Sequence, residues 1–484
     1  MLNGVTLKGD IIIMGNEVGR NYVDVMAMHS DVTGSCILGV VKLHNYSKTE
    51  KFVIDVGLFQ GKEQDQHNGK IMFNPDEVSC IGITHAHIDH VGQLPLLYTN
   101  GAMCKVYSSE STAKLLPYQL NDCLRVGLDT AKRKHEKPLY TQDAVDKTLA
   151  ASVGCKYSEA INGDDHIKMT FFQNGHLYGA SVILVQIAIP NGDEINILFS
   201  GDYSSKNVFF PVEKLPKWVR KLPLSVVIEA TYGNRSTDDT DLCFEDNIMD
   251  AISNGRDVVI PAFSLGRGQE IMLLLHNMQE EGKLDKDIPI LYCGKLGIRY
   301  TEQIFNKNDE FFPDARSFYP EGLQFIYTTA DIVSYPSKPK IILGSAGMGG
   351  YGPMQTLIPE FIRRKALIHF TGFCAEGTLG RQLMDAQLDS SVEIAGRLVK
   401  KRADVKYTTE FSAHAKNNEL IEFLQQFENL QTVLINHGTH ENKKAFADKV
   451  LDEVEANDVV ILSRDIGFRL NKIGLQKSLN TRFK

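Results

Sequence analysis

With 484 residues, 43% of them apolar and 23% charged, the chain has the make-up of a soluble globular protein of roughly two to four domains. Its longest apolar runs, such as Ile11 to Met14, are far shorter than a membrane span, and its start lacks the basic-then-apolar order of a secretory signal. A net charge of −8 excludes a surface coated in basic nucleic-acid-binding residues, though not a local basic groove.

From Asp10 to Thr84 the chain breaks into short β-rich runs: Ile11 to Met14, Val23 to Met28, Cys36 to Leu43, Phe52 to Val56 and Cys80 to Thr84. Gly, Asn, Asp and Ser clusters divide them, which predicts a meander of strands with tight turns. Asp55 sits inside the fourth run, where an unpaired acid is costly. Two readings stay open for it: a turn former at the strand end, or a partner that orients a metal ligand. The fifth run leads into His85-Ala86-His87-Ile88-Asp89-His90, four ligand-type side chains within six residues.

Beyond this cluster, Gly92 to Tyr98 and Ser109 to Val126 read as helices around a strand at Met103 to Tyr107, and residues 127–165 as surface helices. Strands resume at Ile167 to Phe172, Val182 to Ile189 and Glu194 to Phe199. Glycine-bordered loops near them carry His176 and Asp202, and the strand Ser225 to Ile228 leads into Glu229. From there the rhythm becomes strand, glycine loop, helix, with strands at Asp257 to Pro261, Ile288 to Cys293, Lys340 to Leu343 and Ala366 to Phe370. Such alternation predicts a doubly wound parallel sheet. Strand and helix units return after Ala403, with His414 and His437 near strand ends. These shifts divide the chain into segments 1–230, 231–402 and 403–484.

Position relative to strands sorts thirteen of the fourteen histidines. Catalytic groups favour loops just past strand ends, and His85, His87, His90, His176, His414 and His437 fit that rule. His44, His67, His135, His276 and His369 read as surface or core residues, and His166 and His440 as near misses. Eight scattered cysteines without a CxxC pair read as small buried apolar residues in a reducing, cytoplasmic setting. Histidines at i and i+2 on a tight loop converge on one cation, while the following Asp and His face a neighbouring one. An acid such as Asp202, from another strand end, is placed to bridge them. Two cations sharing a water are the apparatus of a hydrolase.

The ordered motifs carry a resemblance. Thr84 to His90 followed by Gly92, with Asp55, His176 and Asp202 at compatible positions, resembles the metallo-β-lactamase superfamily. Glu229-Ala230-Thr231-Tyr232-Gly233, Pro261 to Glu270, Gly344-Ser345-Ala346-Gly347-Met348, Gly377 to Arg381, Ser412-Ala413-His414-Ala415 and His437-Gly438 are similar to the β-CASP nucleases of that superfamily. The Ser-Ala-Gly-Met form is nearer to the prokaryotic homologues of the pre-mRNA 3′-end-processing endonuclease than to ribonuclease J. The resemblance implies an α/β fold, a metallo-β-lactamase αββα sandwich with an inserted doubly wound β-CASP domain at 231–402.

It also implies a site. Two Zn²⁺ ions would be held by His85, His87 and His176 and by Asp89, His90 and His437, with Asp202 bridging and Asp55 behind the ligands. His414 would be the general acid, oriented by Glu229, and Asp89 and Asp202 would share in catalysis. Ser412, His414, Ser345, Arg267 and Arg381 would meet substrate. The implied activity is hydrolysis of single-stranded RNA, bound in an interdomain cleft, by a two-metal hydroxide mechanism that leaves 3′-hydroxyl and 5′-phosphate ends. The cutting is expected to be endonucleolytic with room for 5′ exonuclease action; homo-oligomerisation is left open and no membrane is involved. The rivals are a binuclear hydrolase of DNA or a small phosphodiester, and a non-catalytic scaffold subunit, a reading opposed by the complete ligand set.

Overall fold

A computed structural model of the protein describes residues 21–60, 64–190, 192–212, 214–236, 243–305, 319–336, 339–372, 374, 376–408, 410–411, 413–464 and 466–480. The expected strand Ile11 to Met14 and the motif serine Ser412 lie outside the described residues. The chain forms two compact units. One comprises Met1–Asn207, Pro211–Thr237 and Ala413–Lys484, the other Val208–Phe210 and Asp238–Ser412.

Among the described residues, the first unit holds two sheets. One has eight strands in the spatial order Gly474–Asn480, Ile466–Asn471, Tyr22–His29, Cys36–Lys42, Glu50–Ile54, Cys80–Gly82, Lys105–Ser109 and Ser152–Cys155. The other has seven: Asp458–Ile461, Leu430–Asn436, Leu224–Glu229, Glu194–Phe199, Ser181–Ala188, Ile167–Gln173 and Ala160–Asn162. Period-two alternation explains their stacking. Val23, Val25 and Ala27 on one sheet and Ile183, Val185 and Ile187 on the other enter a shared core. Met28 and Leu38 point outward onto the helices Leu94–Thr99, Glu110–Lys134 and Gln142–Ala151. On the opposite side Leu184, Leu198 and Val226 pack with residues of the helices Asn417–Gln425 and His440–Glu453. The result is an αββα sandwich.

Several local expectations change. Glu50–Ile54 and Cys80–Gly82 pair in parallel, so the first strands are not a simple meander; residues 55–79 cross over between them. Within 127–165, the helix from Glu110 runs on to Lys134, and the short strands Ser152–Cys155 and Ala160–Asn162 interrupt the expected helices. Two further strands, Ile466–Asn471 and Gly474–Asn480, join the first sheet beside Tyr22–His29. These additions are edge or near-edge strands, short or broken by polar residues such as Arg469, so they lack the apolar runs by which inner strands announce themselves.

In the second unit six strands, all paired in parallel, run in the order Leu323–Ile326, Ile290–Cys293, Ile341–Gly344, Val258–Pro261, Leu367–Phe370 and Asp404–Tyr407. Four of them are buried on both faces, as uninterrupted apolar runs predict. Asp404–Tyr407 pairs with Leu367–Phe370, so this unit extends beyond residue 402 and the chain rejoins the first at Ala413. Among the described residues no helix is long and apolar enough to cross a membrane.

Candidate metal centre and catalytic site

The His/Asp cluster occupies the loop after Cys80–Gly82 and a short helix, Ile88–Val91. Neighbouring backbone holds it: Val56 N–H donates to the His90 carbonyl at 2.7 Å, Leu58 N–H to Ile88 at 3.0 Å and Ser35 N–H to Asp89 at 2.8 Å. This approach requires glycine at 57, where a Cβ would stand 1.6 Å from the Asp89 carbonyl oxygen. Asp55 (φ 59°) and His437 (φ 44°) both adopt the left-handed backbone region that side-chain-bearing residues seldom use. In each the chain turns sharply off a strand and delivers the side chain to the site.

Three imidazoles converge first. His87 Nδ1 lies 3.1 Å from His85 Nε2 and 3.2 Å from His176 Nε2. The opposite nitrogens fix the tautomers. His176 Nδ1–H donates to the Ala413 carbonyl at 2.8 Å, and His85 Nδ1 lies 3.1 Å from the Thr84 hydroxyl, which itself donates to Asp55. With the protons outward, Nε2 of both rings presents a lone pair inward. Burial holds His85 and His176 well below the usual histidine range, in the neutral form a metal ligand needs.

Asp89, His90 and His437 form the second set. Asp55 orients it: Oδ2 accepts from His90 Nδ1–H and from the Thr84 hydroxyl, each at 2.8 Å, and Oδ1 accepts from the Thr84 amide at 2.8 Å. Asp202 stands between the sets. Its Oδ2 is 3.7 Å from both His85 Nε2 and His176 Nε2, and its Oδ1 is 3.3 Å from His90 Nε2 and 3.3 Å from His437 Nδ1. Asn174 places this loop by donating to the carbonyls of Ser200 and Asp202 while its oxygen accepts from His176 N–H.

This donor set calls for cations. His90 Nε2, Asp202 Oδ1 and His437 Nε2 are buried without a hydrogen bond among the described residues. A buried carboxylate facing imidazole lone pairs is repulsive unless positive charge lies between them. Nitrogen and carboxylate ligands in such groups suit a divalent metal of zinc's type. The residues therefore fit the group that the sequence implied.

His414 completes the arrangement. Its Nδ1 lies 2.9 and 3.1 Å from the two Glu229 oxygens and its Nε2 3.8 Å from Asp202 Oδ2. Glu229 is fixed in turn by the amides of Tyr203 at 2.5 Å and Thr231 at 3.3 Å. Burial works to strip the proton from His414, but Glu229 and then Asp202 outweigh it and raise its pKa to about 9. A side chain 21% exposed beside one 1% exposed makes His414 the member that meets the outside.

The first unit thus brings together Asp55, His85, His87, Asp89, His90, His176, Asp202, Glu229, His414 and His437. The other expected contacts belong to the second unit. Arg267 is buried, donating to the Thr371 carbonyl at 2.6 Å and paired with Glu270 at 2.9 Å, while Arg381 is exposed and paired with Asp385. Ser345 is half-buried just past the strand Ile341–Gly344. Sequence reasoning missed Thr84, Asn174 and Thr231, whose hydroxyl lies 3.2 Å from His437 Nδ1. The signal for Thr84 was available: a hydroxyl directly before a ligand-type histidine.

A two-sheet sandwich with outer helices, an interrupting parallel α/β unit and clustered His/Asp donors define a metallo-hydrolase. Three family descriptions match in order: the metallo-beta-lactamase superfamily over residues 40–214, the Beta-Casp domain over 268–383 and the Zn-dependent metallo-hydrolase RNA specificity domain over 398–462. The chain thus carries a metallo-beta-lactamase domain, a Beta-Casp domain and an RNA specificity domain in that order. It is 28% identical over 408 residues to Ribonuclease TTHA0252 of Thermus thermophilus, covering 81% of this chain and 88% of that protein. RNase aCSPSF2 of Saccharolobus solfataricus is 26% identical, covering 91% and 81%, and Integrator complex subunit 11 of Danio rerio 25%, covering 87% and 70%.

Proposed function

We propose that the protein is a zinc-dependent ribonuclease that hydrolyses RNA phosphodiester bonds, chiefly within the chain, leaving 3′-hydroxyl and 5′-phosphate ends. The observation that carries the proposal is one carboxylate, Asp202, facing two groups of metal-type donors while the Glu229-bound His414 is directed at the same carboxylate. The RNA specificity match and the ribonuclease names of two relatives support RNA as the substrate.

His85, His87, His176 and Asp202 would hold one zinc, and Asp89, His90, His437 and Asp202 the other. When bound, such a pair supplies a water acidic enough to attack at neutral pH and positive charge against the phosphate. The chain's own residues supply the rest. Asp55 keeps the protons of His90 and, through Thr84, His85 on their outer nitrogens. Glu229 holds His414 Nδ1, so that the proton on Nε2 faces the reacting group. As water adds to phosphorus the P–O3′ bond breaks, the bonding pair stays with the 3′ oxygen, and His414 Nε2–H protonates it. The Glu229 carboxylate favours the protonated ring.

The test is incubation of the full chain, stripped of metal or loaded with zinc, with end-labelled RNA and DNA of one sequence. Zinc-dependent cutting of RNA is expected. Zinc-loaded protein that leaves RNA intact while cutting DNA or another ester overturns the proposal.

A further inference from the structure

In the second unit the large aromatics are mostly interior: Tyr292, Tyr300, Phe244, Phe361 and Phe370 are all fully buried. Phe263, Tyr327, Tyr351 and Tyr407 depart from this, Phe263 and Tyr351 being 46% and 69% exposed. These two stand in loops past the carboxyl ends of adjacent parallel strands, Val258–Pro261 and Ile341–Gly344, whose last residues Pro261 and Gly344 are register partners. The edge where strands deliver their carboxyl ends is where ligands bind in doubly wound sheets.

The two loops form one surface. The Phe263 ring lies over Gly347, where a Cβ would come within 3.0 Å of it, and the Ala346 amide donates to the Tyr351 carbonyl at 3.3 Å. On the other side, a Cβ at Gly294 would approach Ser345 Oγ to 2.9 Å, so the turn bearing exposed Lys295 abuts the same loop. The stretches 261–269, 344–355 and 293–297 contain no acidic residue, while Lys295 brings a cation. The helices Arg267–Glu280 and Met354–Arg363 also begin here and add the partial positive charge of their first turns.

We infer that Phe263 and Tyr351 form a base-stacking platform for single-stranded RNA, with Lys295 meeting the phosphate beside it. Exposed aromatic faces on stretches that carry no acid of their own, with a neighbouring cation, match what a polyanion of flat bases offers. Stacking tolerates any base because each has a π-face, so the platform grips the strand without reading sequence. The inference rests on the ribonuclease reading for its substrate.

The test uses the full chain in chelator, which prevents cutting, and a single-stranded oligoribonucleotide carrying 2-aminopurine, whose fluorescence falls on stacking. Titration of wild type is expected to quench it. Tyr351→Ala and Phe263→Leu should each weaken binding about ten-fold and relieve the quench, Tyr351→Phe should restore both, and Lys295→Gln should weaken binding and reduce its salt dependence. With zinc, the aromatic variants should raise KM and leave kcat near wild type. Because Phe263→Leu also touches Gly347, the decisive variant is Tyr351→Ala, whose ring is mostly in solvent. RNA cut with unchanged KM and quench in Tyr351→Ala overturns the platform and leaves the ribonuclease standing. Tyr351-dependent binding by zinc-loaded protein that does not cut RNA overturns the ribonuclease and leaves the platform. Protein that neither binds nor cuts overturns both.

Discussion

Asp55→Asn is the most searching perturbation of the metal centre, because it changes no volume and removes one charge 2.8 Å from His90 Nδ1. Asparagine also tolerates the left-handed backbone at this position. Its carbonyl takes the place of Oδ1 and still accepts from the Thr84 amide. The NH₂ then stands where Oδ2 accepted from both the Thr84 hydroxyl and His90 Nδ1–H. The hydroxyl can rotate and accept, but His90 can relieve the donor–donor contact only by moving its proton to Nε2, the nitrogen facing Asp202 at 3.3 Å. One charge-assisted hydrogen bond, about 1.5–3 kcal/mol, is thereby lost to ligand orientation. That corresponds to about 10–100-fold in metal affinity, the range typical of partners behind a ligand. Competition with a chromophoric chelator measures it on the full chain. One zinc equivalent should weaken by that factor, with the unfolding midpoint of the metal-free protein falling only slightly. Two equivalents bound as tightly as in wild type would refute the role of Asp55.

His414→Ala should keep both zinc equivalents and lose turnover by about 10²–10⁴-fold, whereas Asp89→Ala should lose metal as well; equal metal loss in both, by elemental analysis, removes His414 from the acid role. The acid acts while protonated, so kcat/KM should hold below the His414 pKa, which Glu229 raises, and fall as pH rises through it. Glu229→Gln removes the carboxylate that does most to raise this pKa, so the alkaline limb should move to lower pH; an unmoved limb means another group sets it. Gly57→Ala drives a Cβ onto the Asp89 carbonyl and should cost about 3 kcal/mol, read from urea midpoints alongside zinc content; wild-type values for both contradict the packing argument.

The site was more legible in the sequence than the sheets around it. His85, His87 and His90 could be chosen because ligands follow buried apolar runs, and Cys80–Gly82 is such a strand. His166 was set aside for preceding its strand, and its Nδ1 lies 2.7 Å from Glu50, outside the two ligand sets. What composition could not carry was orientation. Neither the His176 bond to the Ala413 carbonyl nor the two faces of Asp202 leaves a residue-type signal, since one partner is backbone and the other depends on strands 100 residues apart or more. Edge strands such as Ser152–Cys155 were hidden by their shortness, four residues directly after the helix Gln142–Ala151. Asp404–Tyr407, like the strands of either unit, gives no sign in its residues of which sheet it joins, and only its pairing with Leu367–Phe370 assigns it.

The chemistry of the cut ends tests the central claim most directly. RNA cleaved by the zinc-loaded protein should be analysed for 5′-phosphate by susceptibility to a 5′-phosphate-dependent exonuclease, and for 3′-hydroxyl by polyadenylation without prior phosphatase treatment. If water attacks phosphorus and His414 protonates the departing 3′ oxygen, both groups appear. Fragments with 5′-hydroxyl and 2′,3′-cyclic phosphate ends would mean that the RNA's own 2′-hydroxyl attacks, and would contradict the account.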